Sequence, residues 1–428
     1  MDAFRIEGGR RLKGTIRVNG SKNASLPIMA AALLTEQPLV LHDVPRLSDV
    51  SNMGRLLGEL GVDVSHDPEK PLRLQTADEL NCEARYDIVR TMRASICTLG
   101  PLLAKRGRAV VSMPGGCAIG ERPIDLHLRG MKALGAEIDL EAGNIVCTAK
   151  KLHGTKVFMG GPFGSTVLGT TNVMSAATLA QGTTVIEQAA CEPEVVDLAN
   201  LLNAMGAHVS GAGTPRITVE GVGELHGAEH TIIADRIEAG TFMCAAAITN
   251  GDVTIANCPI DALTAVVDRL HAIGVNVDAR EGDDPLRASV SVNSARRLEP
   301  ITVTTQPYPG YPTDLQAQLM ALLCLADGNS IVTEKVFPER FLHVAELSRM
   351  GAVLYRQGPT VMIVGQRRLV AAPVMASDLR ASAGLIVAAL AAKGTTTINR
   401  VYHLDRGYDR LEERLLKLGA SIERIDAA

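Results

Sequence analysis

The sequence contains no tryptophan and only six phenylalanines and six tyrosines in 428 residues, which is poor equipment for stacking nucleic-acid bases. A basic surplus is also missing. Lys and Arg number 43 against 47 Asp and Glu, a net charge of −4, so the footprint of a nucleic-acid or anionic-membrane binder is not there. No Cys-x-x-Cys occurs. The eight cysteines (Cys82, Cys97, Cys117, Cys147, Cys191, Cys244, Cys258 and Cys324) are never closer than 14 positions, which excludes zinc-ligand spacing and fits reduced thiols in a reducing compartment. There is no Walker G-x-x-x-x-G-K-[ST] and no post-strand G-x-G-x-x-G, so triphosphate and dinucleotide binding are demoted. The apolar stretches 26–34 and 385–392 are too short to span a bilayer. The start, Met-Asp-Ala-Phe-Arg-Ile-Glu, lacks the basic opening and apolar run of a signal peptide, so a cytoplasmic location is expected. With 46% hydrophobic and 21% charged residues, the chain can bury sizeable cores, and its length suggests two to four domains. An α/β protein is the class that remains.

What is present is a repeat. A helix ending in Met/Leu/Ile-Gly-Ala/Val recurs six times, closing on Gly61, Gly135, Gly206, Gly274, Gly351 and Gly419, a period of roughly 72 residues. One copy shows the unit. An apolar helix ends near Ala180 and is stopped by Gln181-Gly182, and Thr183 to Ile186 reads as a buried strand. After the loop 187–194, Val195, Leu198, Leu202 and Met205 mark one face of a second helix closed by Gly206. Such units pack as helices against sheets. Two loops recur in every copy. One precedes the apolar helix, as in 20–23, 91–95, 235–236, 312–314 and 377–382. The other follows the strand, as in 114–123, 337–341 and 402–408. Lysines and arginines therefore collect at helix N-termini, where orphan amides and the dipole already favour anions.

Lys22, Arg93, Arg122, Arg340, Arg380 and Arg406 form a candidate anion clamp, because the arginine fork donates to phosphate and carboxylate in pairs. Solvated surface charge is the commoner role for any lone arginine; recurrence at equivalent loops is what raises this set. Cys117, in Pro114-Gly115-Gly116-Cys117-Ala118-Ile119-Gly120-Glu121-Arg122-Pro123, sits among glycines with Arg122 close enough to favour a thiolate. An incidental loop cysteine is the alternative. Asp314 is a general base or an N-cap for a helix over 316–326, and the cap is the favoured reading from local pattern. Glu192 and Glu194 read as loop charges ahead of a helix. His226-Gly227-Ala228-Glu229-His230 matches the H-x-x-E-H zinc pattern, but Gly221, Gly223 and Gly227 crowd it and Thr231-Ile232-Ile233 is strand-like, so no metal is expected.

Gly20-Ser21-Lys22-Asn23, Thr91-Met92-Arg93-Ala94-Ser95, the cysteine loop, Arg122-Pro123-Ile124-Asp125-Leu126-His127, Pro312-Thr313-Asp314, Asp378-Leu379-Arg380-Ala381-Ser382 and Asp405-Arg406-Gly407-Tyr408 resemble the UDP-N-acetylglucosamine enolpyruvyltransferase family, in its order and over essentially the whole chain. The cysteine loop separates it from the sister family, the shikimate-pathway enolpyruvyl transferases. The resemblance implies two inside-out α/β barrel domains of three copies each, helices inside and sheets outside. One domain would span 22–233, and the other 1–21 with 234–428, with the active site in a cleft that closes on the sugar nucleotide.

The implied reaction moves the enolpyruvyl group of phosphoenolpyruvate to the 3-hydroxyl of UDP-N-acetylglucosamine by addition and elimination, the first committed step of peptidoglycan precursor synthesis. By resemblance, Lys22, Arg122 and Arg406 hold phosphate, with Asn23 beside them, and Arg340 and Arg380 serve the carboxylate. Asp314 is the base at the 3-hydroxyl, and Cys117 is the acid or the adduct-forming thiol. Arg93, Arg122, Pro123, Ile124, Asp125, Leu126, Ser165, Thr166, Val167, Asp314 and Val336 line the UDP-sugar site. No metal or organic cofactor is implied. The stretch 160–167 is longer and more glycine-rich than the family segment, Ser48 replaces a frequent lysine, and Cys97 replaces bulkier side chains. Two alternatives stand beside this reading. A catalytically silent UDP-sugar binder is opposed by intact Cys117, Asp314 and Arg406, and a shikimate-3-phosphate enzyme by the cysteine loop and Asp125-Leu126-His127.

Overall fold

The computed structural model describes residues 2–426 apart from 66, 68–69, 114–123 and 295–296. They divide into two compact units, one of residues 2–19 with 234–426 and one of 20–113 with 124–233. Each unit is an α/β arrangement of mixed sheets and helices.

In the unit of residues 20–233 the helices are α1 (Lys22–Ala30), α2 (Ser48–Glu59), α3 (Tyr86–Val89), α4 (Leu99–Arg106), α5 (Asp125–Ala133), α6 (Val167–Ala177) and α7 (Pro193–Ala204). They are of two kinds. In α6 every residue from Gly169 to Ala177 is buried, the polar Thr170, Thr171, Asn172 and Ser175 included, so the helix presents no face to water. It packs against α4 and α1. By contrast α7 is amphipathic, burying Val195, Leu198 and Leu202 while Asn200 and Asn203 face solvent. The other unit repeats the alternation with α8 (Arg236–Ile248), α9 (Thr264–Ala272), α10 (Gln316–Leu323), α11 (Leu342–Arg349), α12 (Leu379–Ala391) and α13 (Leu411–Lys417). All thirteen residues of α8 are buried, and α8, α10 and α12 pack on one another. Gly384 lets α12 approach closely, since a Cβ there would lie 2.8 Å from the Ala317 carbonyl oxygen.

Among the described residues, six four-stranded sheets share one pattern, an edge strand parallel to its neighbour followed by two antiparallel pairings. In the sheet of 183–187, for instance, Lys156 pairs in parallel with Val185, and Thr183 pairs antiparallel with Glu220. The helices α2, α5, α7, α9, α11 and α13 are each followed by a left-handed glycine, Gly61, Gly135, Gly206, Gly274, Gly351 and Gly419, with φ between +84° and +98°. Only glycine takes that conformation without cost, which is why the repeat is visible as a glycine period.

Three strands leave their sequence neighbours. Lys13–Arg17 lies parallel to Asp252–Cys258, and Ala228–Thr231 lies parallel to Leu39–His42. Asp2–Glu7 lies antiparallel between Thr395–Asn399 and Ser421–Asp426, with Ala3, Phe4 and Ile6 fully buried. Among the described residues the chain thus passes between the units at 19–20 and 233–234. Asp235 donates its amide to the Asn19 carbonyl at 2.8 Å, and Ser21 donates to that of Ile233 at 2.7 Å. No helix among the described residues is long and apolar enough to cross a membrane.

Candidate active site

Four of the buried helices begin with side-chain caps, and three of those caps place basic side chains. Ser21 Oγ accepts from the Ala24 amide and starts α1, leaving Lys22 as its first residue. Thr166 caps α6, Asp235 caps α8 and Asp378 caps α12, with Arg236 first in α8 and Arg380 second in α12. Side-chain oxygens at these positions satisfy otherwise orphaned amides.

In the unit that carries α8–α13, three of the expected residues come together. The short turn Thr313–Leu315 precedes α10. Arg340 Nη1 lies 2.7 Å from Asp314 Oδ1, and Arg380 Nη2 lies 3.2 Å from Oδ2. Both guanidiniums are buried, while the Asp314 side chain keeps 24% exposure, so the carboxylate remains the accessible member. Asp314 is therefore not the helix cap that its position suggests. The N-cap positions belong to Pro312 and Leu315, neither of which caps through a side chain, and the helix ends at Leu323 rather than 326. Burial works against charge on Arg380, but Asp314, Tyr408 and Asp235 outweigh it and raise its pKa above the ordinary guanidinium value. Tyr408 is 1% exposed; its hydroxyl meets Thr241 Oγ1 at 2.8 Å and accepts from Arg380 Nη1 at 3.2 Å. Arg406, half-buried, ends the turn Val401–Arg406, and Asp405 beside it is 2.6 Å from Arg424. Val336 is half-buried on the loop that leads to Arg340.

In the other unit Lys22 is 9% exposed, with Nζ 2.7 Å from Asp49 Oδ2, and Asn23 beside it is half-buried. Asp49, itself 1% exposed, is a partner that the sequence reading missed. Its signal is position, since Asp49, Met53 and Leu56 share the apolar stripe of α2. Arg93 opens the 3-10 turn Arg93–Thr98 ahead of α4. Ile124 and Leu126 are buried at the start of α5 and Asp125 is exposed. Asn172 ties these segments: its side-chain amide donates to the Ile96 carbonyl at 2.8 Å and to His127 Nδ1 at 3.0 Å, and its oxygen accepts from Gly100 at 2.6 Å. Residues 160–165 form a small hairpin, and Ser165, Thr166 and Val167 lead from it into α6. Cys117, Arg122 and Pro123 lie outside the described residues.

His230, from the H-x-x-E-H match, lies on the strand Ala228–Thr231 and reaches Asp197 at 2.9 Å. Among the described residues no cluster of His, Cys, Asp and Glu could hold a metal. Glu192 and Glu194 are buried, at 8% and 3% exposure, rather than solvated loop charges. Cys97 is also buried, which pushes its thiol up to about 12; it is inert packing.

His343 of α11 follows the Arg340 loop and is 1% exposed, with Nε2 3.2 Å from Met320 Sδ. Burial lowers its pKa to about 4; Asp378 partly offsets that and Arg340 adds to it. The unfolded imidazole takes up a proton near pH 6.5 and the folded one refuses it until about 4, so stability falls as pH drops through that window, by about 3 kcal/mol in total. His343→Leu should remove most of this slope. Urea unfolding at pH 7 and 4.5 checks it, and an unchanged slope would assign acid sensitivity elsewhere.

Residues 6–415 match the family described as EPSP synthase (3-phosphoshikimate 1-carboxyvinyltransferase). The UDP-N-acetylglucosamine 1-carboxyvinyltransferase of Akkermansia muciniphila is 50% identical over 99% of this chain and 99% of its own. That of Methylacidiphilum infernorum is 48% identical over the same shares. Among solved structures, the enolpyruvyl transferase NikO from Streptomyces tendae superposes with a TM-score of 0.90 at 26% identity, covering 100% of this chain and 99% of that one. Buried helices headed by arginines, the Asp314 cluster and this full-length similarity agree, and the chain belongs to the EPSP synthase family, in its UDP-N-acetylglucosamine 1-carboxyvinyltransferase branch.

Proposed function

We propose that the protein transfers the enolpyruvyl group of phosphoenolpyruvate to the 3-hydroxyl of UDP-N-acetylglucosamine and releases phosphate, opening peptidoglycan precursor synthesis in the cytoplasm. The observation that carries the acceptor is the roughly 50% identity, end to end, with relatives of that name. The chemistry needs a proton for C3 of phosphoenolpyruvate, a base for the hydroxyl and fixed positive charge for two anionic substrates.

Asp314, a partly exposed carboxylate between two buried guanidiniums, is the base. Each arginine has five N–H donors, so Arg340 and Arg380 can hold Asp314 and still receive the carboxylate of phosphoenolpyruvate. Lys22, Arg122 and Arg406 take the phosphate, with Asn23 beside them, and Cys117 supplies the proton or forms the adduct. Arg93, residues 122–126, residues 165–167, Asp314 and Val336 line the UDP-sugar site. The two units, 1–21 with 234–428 and 22–233, serve as domains, each an inside-out barrel of three repeats. The shared sheet pattern and the wholly buried helices support that description.

Phosphate release with each acceptor tests the proposal. Release is expected from phosphoenolpyruvate with UDP-N-acetylglucosamine and not with shikimate 3-phosphate. Release with shikimate 3-phosphate would move the protein to the sister activity, and none with either would favour a silent sugar-nucleotide binder.

A further inference from the structure

Glu334 follows the strand Asn329–Thr333 and is fully buried, in phase with Ser330 and Val332. Among the described residues no lysine or arginine pairs with it; four neutral donors do. Oε1 accepts from Thr305 Oγ1 at 2.6 Å and from the amides of Val336 and Phe337 at 2.8 and 2.9 Å. Oε2 accepts from Thr313 Oγ1 at 2.9 Å. The Thr313 proton is thereby committed, which leaves its lone pairs for Arg340 Nη1 at 3.0 Å. That same nitrogen donates to Asp314 Oδ1 at 2.7 Å. A continuous chain therefore runs from a buried carboxylate through one hydroxyl to the guanidinium and on to the proposed base.

We propose that Glu334 is a positioning residue which, by fixing the direction of the Thr313 hydroxyl, holds the fork of Arg340 against Asp314 and so sets the site's geometry toward the carboxylate of phosphoenolpyruvate. The inference rests on the roles given above to Arg340 and Asp314. Its chemical basis is that a hydroxyl has one proton; with a carboxylate behind it, that proton cannot turn toward the guanidinium and repel it. The competing role is loop support alone, through the Val336 and Phe337 amides.

Two near-isosteric variants separate these roles. Thr313→Val cuts the chain and keeps every Oε1 bond. Thr305→Val removes one Oε1 bond, together with the acceptor of the Lys335 amide at 3.0 Å, and leaves the chain intact. Each deletes one hydrogen bond to the same buried carboxylate, so similar losses of thermal stability are expected. Kinetics should differ. Thr313→Val should raise KM for phosphoenolpyruvate by about tenfold and lower kcat by about tenfold, with KM for UDP-N-acetylglucosamine changed by no more than about threefold. Thr305→Val should stay within about twofold of wild type in all three. Glu334→Gln should follow Thr313→Val if it folds. Wild-type kinetics in Thr313→Val, or equal kinetic losses in both threonine variants, would overturn the proposal.

A second readout does not depend on activity. In protein labelled with 15N-arginine, the Arg340 Nη signals should be resolved and slow to rotate in wild type and Thr305→Val, and averaged in Thr313→Val. Arg340 signals averaged already in wild type would overturn the positioning role even if turnover is as proposed. Resolved signals in a wild-type protein that releases no phosphate would instead count against the function alone.

Discussion

Asp314→Asn is expected to lower turnover by about 10²–10⁴-fold while the protein still binds UDP-N-acetylglucosamine. Asparagine keeps the shape and loses the proton acceptor, so binding common to ground and transition states survives. The surroundings of Asp314 add a second expectation. Arg340 and Arg380 are 7% and 3% exposed, and without the carboxylate they face each other's charge across a neutral amide. Stability should fall by about 2–3 kcal/mol, less than for a fully buried pair because the Asp314 side chain keeps 24% exposure. The forks should in turn grip an incoming carboxylate more tightly, so KM for phosphoenolpyruvate falls while kcat collapses. Phosphate release and calorimetric titration of each substrate check all three. Near-normal release would reduce Asp314 to a counter-charge.

The largest effect on stability is expected from Arg414→Met. Glu238 is 3% exposed and is held by Arg414 and by the Asn19 amide at 2.7 Å. Removing the cation leaves an uncompensated buried carboxylate, at a cost of about 3–5 kcal/mol near neutral pH. Burial raises the pKa of Glu238, with Arg414 holding it down and Asp235 pushing it up. A carboxyl whose folded pKa is raised binds its proton more readily folded than unfolded, so its penalty grows as pH rises above the ordinary carboxylate value and is relieved below it. Without Arg414 that window widens upward. The deficit of the variant should therefore be largest at pH 8 and smaller at pH 5. Equal deficits at both would point instead to lost packing, since the guanidinium also lies 4.8 Å from the Phe242 ring centre.

What the sequence makes legible follows the range of the forces concerned. The helix-closing glycines are local, because a left-handed residue after a helix is a constraint on one position, and six of them mark the repeat. The helices of small residues are local too, since the second half of α8, from Phe242 to Ile248, has no polar residue anywhere along it. Asp314 misled because an aspartate just before a helix is ordinarily a cap. Its partners are Arg340 and Arg380, 26 and 66 positions on, and nothing in the neighbouring residues announces such pairs. Glu334 and Asp49 were missed although each sits in phase with buried neighbours. An acid in an apolar register is itself a sign of a buried charge, and a buried charge needs partners. The exchange of Lys13–Arg17 and Ala228–Thr231 between sheets was hidden, because parallel pairing needs no local turn and leaves no local mark.

The placement of Asp2–Glu7 between strands 395–399 and 421–426 has a consequence for the order in which the protein is made. The described residues of one unit lie between 20 and 233, and once Ala228–Thr231 has left the ribosome all the strands described in that unit have been made. Asp2–Glu7 has no such opportunity. Phe4 and Ile6, fully buried at the end, must wait until Thr395 has been added, roughly 20–80 s at ordinary elongation rates. For the later part of that interval an apolar strand with both edges open is tethered to a finished unit. The stretch to protect during biosynthesis is therefore one made long before either of its partner strands, and a chain stalled or cut short near residue 390 would strand it permanently.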